Sequence, residues 1–148
     1  MSANRKQLPN VPAPISAAVS AVMRANRSED TRPEMIVRRL LFRLGYRYRL
    51  HDRRLPGRPD VAFSRRRKVV FIHGCFWHQH RSSQCQLRSV PSSHIDYWNA
   101  KLKRNEERDI ENQEQLRQSG WDILVVWECE IQDALTLARR LQGFLGPP

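Results

Sequence analysis

The stretch whose reading decides the fold is Lys68–Cys85, KVVFIHGCFWHQHRSSQC. Between Lys68 and His73 runs an unbroken apolar segment, Val69 to Ile72, which reads as a strand buried on both faces. The chain then turns at Gly74 into Cys75, Phe76, Trp77, His78, Gln79 and His80 before reaching Cys85. The whole chain holds 3 cysteines and 5 histidines. Two of the former and three of the latter lie in this one span. A buried strand therefore ends in metal-type side chains beside two large aromatics.

Working upstream, Arg65, Arg66 and Arg67 read as a hairpin turn into that strand, and Asp60 to Phe63 as its partner. Asp60 is delivered by the turn-rich LPGRP segment, and Tyr46 to Leu50 alternates as a further strand. A helix carries Ile36, Leu40 and Leu44, with Val37 and Leu41, on one apolar face. Asp30 or Thr31 caps it, Pro33 and Glu34 suit its first turn, and Gly45 stops it. Residues 16–25 suit a short helix carrying Met23. Residues 1–15, with Pro9, Pro12 and Pro14, read as a flexible lead-in to a single domain over 16–148.

Downstream, Gln86 to Ser93 reads as irregular. Asp96 caps a long polar helix from Tyr97 to Ser119, the strand Asp122 to Trp127 follows, and Cys129 stands just past it. A last helix covers Asp133 to Phe144. This order predicts an α/β layer with a mixed central sheet flanked by helices. Trp98 and Trp121 are expected in the core.

A formal net charge of +11, from 26 Lys+Arg against 15 Asp+Glu, points to a polyanion and most simply to nucleic acid. Solubility alone is the blander account of that charge. No apolar run reaches the roughly 20 residues of a membrane span, and the N-terminus has no signal-peptide core, so a cytoplasmic protein with no membrane partner is expected. An odd number of cysteines argues for metal or free thiols rather than a disulfide framework.

Cys75, His80 and Cys85 stand as C-x4-H-x4-C, with Cys129 at a neighbouring strand end. Three thiolates and one imidazole suit a closed tetrahedral Zn²⁺ site, although this spacing matches no common zinc finger; buried thiols beside a surface histidine are the alternative. Glu34, Asp60, His73 and His78 form a second group. Its carboxylates suit a hard cation such as Mg²⁺, and its histidines suit proton transfer or contact with a phosphate. A turn aspartate and a helix N-terminal acid account for Asp60 and Glu34 equally well. Phe76 and Trp77 in a zinc-pinned loop suit a wedge between stacked bases, with Met23 acting from another side, or else they pack. Lys101 and Asn105 share a helix face with Arg104 and Arg108. That face is either solvated or set against DNA.

LPGRPD at Leu55–Asp60, FIHGCFWHQH at Phe71–His80, YWNAKLKRNEERD at Tyr97–Asp109 and GWDILVVWEC at Gly120–Cys129 resemble the very short patch repair (Vsr-type) mismatch endonucleases, and VMRANRSEDTRPE at Val22–Glu34 is similar to that family's N-terminal motif. The resemblance implies a fold related to the PD-(D/E)xK restriction enzymes, with Phe71-Ile72-His73 in place of the downstream acid and lysine. It implies nicking of one strand of double-stranded DNA beside the thymine of a T:G mismatch, by a monomer.

Residue by residue, the resemblance makes Asp60 a direct Mg²⁺ ligand with the Ile72 main-chain carbonyl, while Glu34 acts on the ion through water. His78 would activate the attacking water, and His73 would support the ion or the scissile phosphate. Cys75, His80, Cys85 and Cys129 match the zinc ligands, Phe76, Trp77 and Met23 the intercalating residues, and Lys101 and Asn105 positions near the mismatch. Two departures stand out. Arg81 to Gln84 separate His80 from a cysteine the family places two residues after the histidine, and Ile72 replaces a usual threonine. Two other functions remain compatible with these residues: a zinc-stabilised module that binds mismatches without cutting, and a nuclease of this fold for other structured or modified DNA.

Overall fold

The structure, a computed structural model, describes residues 29–82, 84, 85, 87 and 92–148. The expected lead-in, the helix over 16–25, Met23 and most of the irregular stretch after Gln86 lie outside the described residues. The first described helix, α1 (Arg32–Arg43), starts where the sequence places it. The Thr31 hydroxyl accepts from the Glu34 amide, Pro33 sits in the first turn, and Gly45 follows at φ +97°. Three strands come next, β1 (Arg49–Leu50), β2 (Val61–Phe63) and β3 (Lys68–His73), then α2 (Ile95–Gln118), β4 (Asp122–Trp127), a 3-10 turn at Glu128–Glu130 and α3 (Ala134–Leu145).

The sheet runs in the order β1-β2-β3-β4, antiparallel through β3 and parallel between β3 and β4. This is the mixed sheet that a hairpin followed by a helical crossover requires. Successive residues of β3 face opposite sides. Val70 and Ile72 join Val37 and Leu41 of α1 and Leu137, Leu141 and Leu145 of α3 in one cluster. Val69 and Phe71 meet Leu116 of α2 in the other. Helices therefore cover both faces, which is why β3 is apolar throughout rather than alternating. Among the described residues no helix is long and apolar enough to cross a membrane.

Three local expectations are revised. The strand expected over Tyr46–Leu50 shrinks to Arg49–Leu50, because Tyr46 and Tyr48 turn inward, edge-on to Phe63. Their hydroxyls donate to Gly146 O and to Arg38 O, the latter at 2.9 Å, so these residues tie the end of α3 and the middle of α1 to the sheet. Second, α2 begins at Ile95 behind a left-handed His94 that makes no side-chain cap bond, and Asp96 serves as a first-turn acid instead. Third, Trp98 and Trp121 are only half-buried. Trp121 packs at the border of the second cluster under the Arg67 guanidinium, and Trp98 leaves the core altogether for the cleft described below.

Part of the positive charge is structural. Arg66 donates to Leu145 O (2.7 Å) and Pro147 O (2.6 Å), Lys68 Nζ to Phe144 O (2.5 Å), and Arg67 to Ser119 O (2.6 Å). The basic turn thus satisfies carbonyls left open at the ends of α3 and α2, where a cation also suits the helix dipole. Arg66→Ala is expected to cost about 1–2 kcal/mol in urea unfolding without changing DNA affinity. Weakened DNA binding at unchanged stability would make this arginine a DNA contact rather than a structural one.

Candidate active site

Three strand ends meet at one rim of the sheet. Because β3 and β4 are parallel, with His73 opposite Trp127, both end there; β2 runs the other way and begins there. Asp60, immediately before β2, lies across from the end of β3, and its Oδ2 accepts the Ile72 amide at 2.7 Å. This rim, at the carboxyl ends of adjacent parallel strands, opens into a cleft of about 1080 Å³ walled by α1 on one side and α2 on the other.

Asp60 is pushed up to about 7, chiefly by burial and further by the charge of Glu34. The Ile72 amide, His51 and His78 act against that rise. His73 is 4% exposed, and burial, with His78 adding to it, pushes its pKa down to about 3, so its imidazole stays neutral. His78 stacks flat on His73, with ring centres 3.9 Å apart and planes 5° from parallel. Its Nδ1 lies 2.5 Å from Asp109 Oδ2 on α2. A carboxylate held there favours the tautomer with the proton on Nδ1, leaving Nε2 basic.

Glu34 is buried and its Oε2 is crowded. It accepts from the Asp30 amide (3.0 Å) and Arg38 Nη2 (2.9 Å), and lies 3.1 Å from His51 Nε2. Asp30, Glu34 and His51 have metal-type spacing. The Arg38 guanidinium, also 2.8 Å from Asp30 Oδ1, supplies the positive charge in this group instead. Toward a divalent cation the rim itself offers better chemistry. It has a carboxylate that burial disfavours as an anion, and a buried His73 Nδ1 with no hydrogen-bond partner among the described residues. The first feature fits a hard cation held at Asp60, and the second leaves His73 Nδ1 open to a hydrogen bond from a water or other ligand.

Cys75, His80, Cys85 and Cys129 offer ligand atoms that all lie within 4.8 Å of one another. His80 Nδ1 is 3.7 Å from Cys75 Sγ and 3.4 Å from Cys129 Sγ. A tetrahedral centre with zinc-type bonds spaces nitrogen and sulfur about 3.5 Å apart, so the set fits a structural metal. The residues between His80 and Cys85 do not keep the fourth ligand away. Burial pushes the Cys75 thiol up to about 12 and raises Cys129 as well, and a bound cation would favour these two as thiolates. Trp127 lies flat on His80, centroids 4.1 Å apart, fixing the ring's plane.

The loop from Gly74 to His80 is anchored at both ends, by β3 and by this cluster. Phe76 and Trp77, read as a wedge or as packing residues, are half-buried and meet Trp98 edge-on and tilted, at 5.6 and 5.8 Å. The Lys101 ammonium lies 5.2 Å from the Trp77 ring centre and Asn105 Nδ2 donates to Trp77 O at 3.2 Å. Both α2 residues therefore brace the aromatic loop as well as lining the cleft.

The structure thus gathers Glu34, Asp60, Ile72, His73, His78, Phe76, Trp77, Lys101 and Asn105 around one cleft, with the cysteine-histidine cluster behind the aromatic loop. Asp109, His51 and Arg38 were missed. Asp109 was detectable: it is four residues from Asn105 and eight from Lys101, on the same helix face. Nothing in the local sequence marks His51, which reaches Glu34 only through tertiary folding.

Comparison with known proteins gives this geometry a context. Residues 16–84 match the family model described as DNA mismatch endonuclease Vsr. The chain is 46% identical over 126 residues to the Type II nicking enzyme V.XorIIP of Xanthomonas oryzae pv. oryzae, covering 85% of this chain and 90% of that one. It is 43% identical to the Type II nicking enzyme V.NmeAIP of Neisseria meningitidis, covering 82% and 85%. It is also 40% identical to the DNA mismatch endonuclease Vsr of Escherichia coli, covering 78% and 72%. With similarity across most of both chains, this protein belongs to the Vsr family of DNA mismatch endonucleases.

Proposed function

We propose that the protein nicks one DNA strand beside the thymine of a T:G mismatch, as a cytoplasmic monomer that initiates very short patch repair. The observation that carries this reading is the convergence of Asp60, the His73-His78-Asp109 stack and the Phe76-Trp77 loop on one cleft. Cutting chemistry and an unstacking element then act on the same few nucleotides.

Mg²⁺, held by Asp60 and the Ile72 carbonyl with Glu34 acting through water, would neutralise charge building on the scissile phosphate. His78 takes the proton from the attacking water at Nε2, while Asp109 stabilises the imidazolium that results. His73, neutral and stacked beneath it, fixes the plane of that ring and presents its open Nδ1 to the ion or phosphate. Zn²⁺ on Cys75, His80, Cys85 and Cys129 would hold the loop rigid. Phe76 and Trp77, with Met23, enter the stack where a mismatch lowers the cost of unstacking, and Lys101 and Asn105 lie along the neighbouring bases.

The test is a panel of duplexes differing only at the central pair, assayed with and without Mg²⁺. T:G should be nicked at least about tenfold faster than a paired control, and Trp77→Ala should erase most of that preference, a loss of about 1–3 kcal/mol, while leaving non-specific binding near its starting value. Equal cutting of every duplex would favour a nuclease for other structured DNA. Selective binding with no cutting would favour the non-catalytic module.

A further inference from the structure

The two walls of the cleft carry charge differently. Lys101 and Arg108 stand on the α2 wall, where Lys101 is engaged by the ring faces of Trp77, Tyr97 and Trp98, and Arg108 Nη2 donates to Asn105 Oδ1 at 2.7 Å. On the opposite wall, formed by the entry to α1 and the turn before β2, the lining carboxylates are Glu29, Glu34 and Asp60. The permanent cation lining that wall, among the described residues, is Arg58.

Arg58 is two residues before Asp60, so its backbone is fixed by the same turn that delivers the carboxylate. That turn is itself held in place. Gly57, at φ +76°, lies so close to Asn112 of α2 that an added Cβ would come within 3.0 Å of the Asn112 Cβ, and Arg58 adopts a left-handed conformation at φ +46°. The side chain is half exposed, and its Nη2 is ion-paired to the Glu29 carboxylate, also half exposed. A carboxylate offers a guanidinium the same two-oxygen edge that a phosphodiester does. A strand entering the cleft brings phosphates past the Glu29, Glu34 and Asp60 carboxylates, and although Arg38 pairs with Glu34, Arg58 is the permanent cation that itself lines this wall to meet them.

We propose that Arg58 is a phosphate-binding residue of the cleft and that the Glu29 carboxylate paired to its Nη2 is a stand-in until DNA displaces it. The contact is to the sugar-phosphate backbone next to the nicking centre and carries no base information, so it acts on matched and mismatched duplexes alike. The Glu29-Arg58 pair then lowers affinity for DNA in general and places a small toll on non-productive binding. The inference rests on the reading of the cleft as a DNA-nicking site. Its test needs neither cutting nor mismatch preference, so the two readings fail separately.

The experiment measures affinity for a paired and a T:G duplex by fluorescence anisotropy in Mg²⁺-free buffer, from about 50 to 200 mM salt, on metal-replete full-length protein. Arg58→Gln should weaken binding to both duplexes and reduce the slope of log K against log[salt] by about one. Arg58→Lys, which keeps the charge, should recover that slope. Glu29→Gln should tighten binding to both duplexes about two- to fivefold, the scale of an exposed ion pair released. In the double variant the gain from Glu29→Gln should vanish, because the group it freed is gone. An unchanged salt slope in Arg58→Gln would overturn the proposal, as would a Glu29→Gln gain that persists in the double variant. The pair would then serve only to hold the entry to α1 against the turn.

Discussion

Asp60→Asn is expected to lower the rate of strand nicking by about 10³-fold or more while affinity for mismatched duplex stays within about threefold of the starting protein. If Asp60 holds the proposed ion, several kcal/mol of charge stabilisation at the phosphate would depend on this carboxylate, and each 1.36 kcal/mol is a factor of ten in rate. Asparagine retains an oxygen to accept the Ile72 amide, which Asp60 Oδ2 now does at 2.7 Å, so the turn and β3 should keep their places.

The same substitution has an opposite effect on stability. Burial raises Asp60 to about 7, against about 3.9 for an unfolded chain. A raised carboxyl contributes stability that is fully present below the unfolded value and is lost as pH rises through the folded one. In metal-free buffer Asp60→Asn should therefore match the starting protein near pH 4 and exceed it by a few kcal/mol at pH 8. His73, pushed down to about 3 by burial, works the other way, losing stability as pH falls below about 6.5. It is present in both proteins, so it drops out of the difference. Added Mg²⁺ should raise the melting temperature of the starting protein at pH 8 and leave Asp60→Asn unmoved. If Asp60→Asn still nicks at a comparable rate, or Mg²⁺ stabilises both proteins equally, the ion is held elsewhere.

The second large effect is expected at the cysteine-histidine cluster. Purified protein should carry one zinc per chain by native mass spectrometry, and Cys129→Ser should lose it. Cys129 lies in the 3-10 turn two residues past β4 and Cys75 two residues past β3, so the proposed ion would cross-link the ends of the two parallel strands that frame the cleft. Its loss should cost at least about 3 kcal/mol, or roughly 10 °C in melting temperature for a domain of this size. Because Phe76 and Trp77 lie inside the loop that the cluster closes, mismatch preference should fall further than overall DNA affinity. Metal-free protein with unchanged melting would reduce the three cysteines to packed thiols.

These two sites were not equally legible. Asp60 could be picked out because a turn full of proline and glycine hands a carboxylate to the head of a strand. Asp109 stood on a helix face already singled out through Lys101 and Asn105, yet its purpose depends on the His78 ring 2.5 Å away across the cleft. Arg38 and Glu34 are four residues apart on α1, and their pairing is local. Their meeting with His51 is not, because it depends on the path of the chain from α1 into β1. The overall charge, which pointed to a polyanion, could not say which cations the fold itself engages. Arg66, Arg67 and Lys68 count toward the +11 that points to nucleic acid, but they are spent on helix-end carbonyls.

The sequence by itself determined the elements and their order. Periodicity, caps and turn residues act over a few positions, so β3, β4, α1 and α3 could be read to within a residue or two, and the apolar continuity of Val69–Ile72 required cover on both faces. Tertiary structure decided which strand ends share a rim. The parallel pairing of β3 with β4 brings Cys129 to Cys75 and His80, and the antiparallel turn of β2 brings Asp60 to Ile72. Contacts such as Asp60 to Ile72, 12 positions apart, or His80 to Cys129, 49 apart, have no local period to announce them. They follow from register and packing, which only the folded sheet fixes.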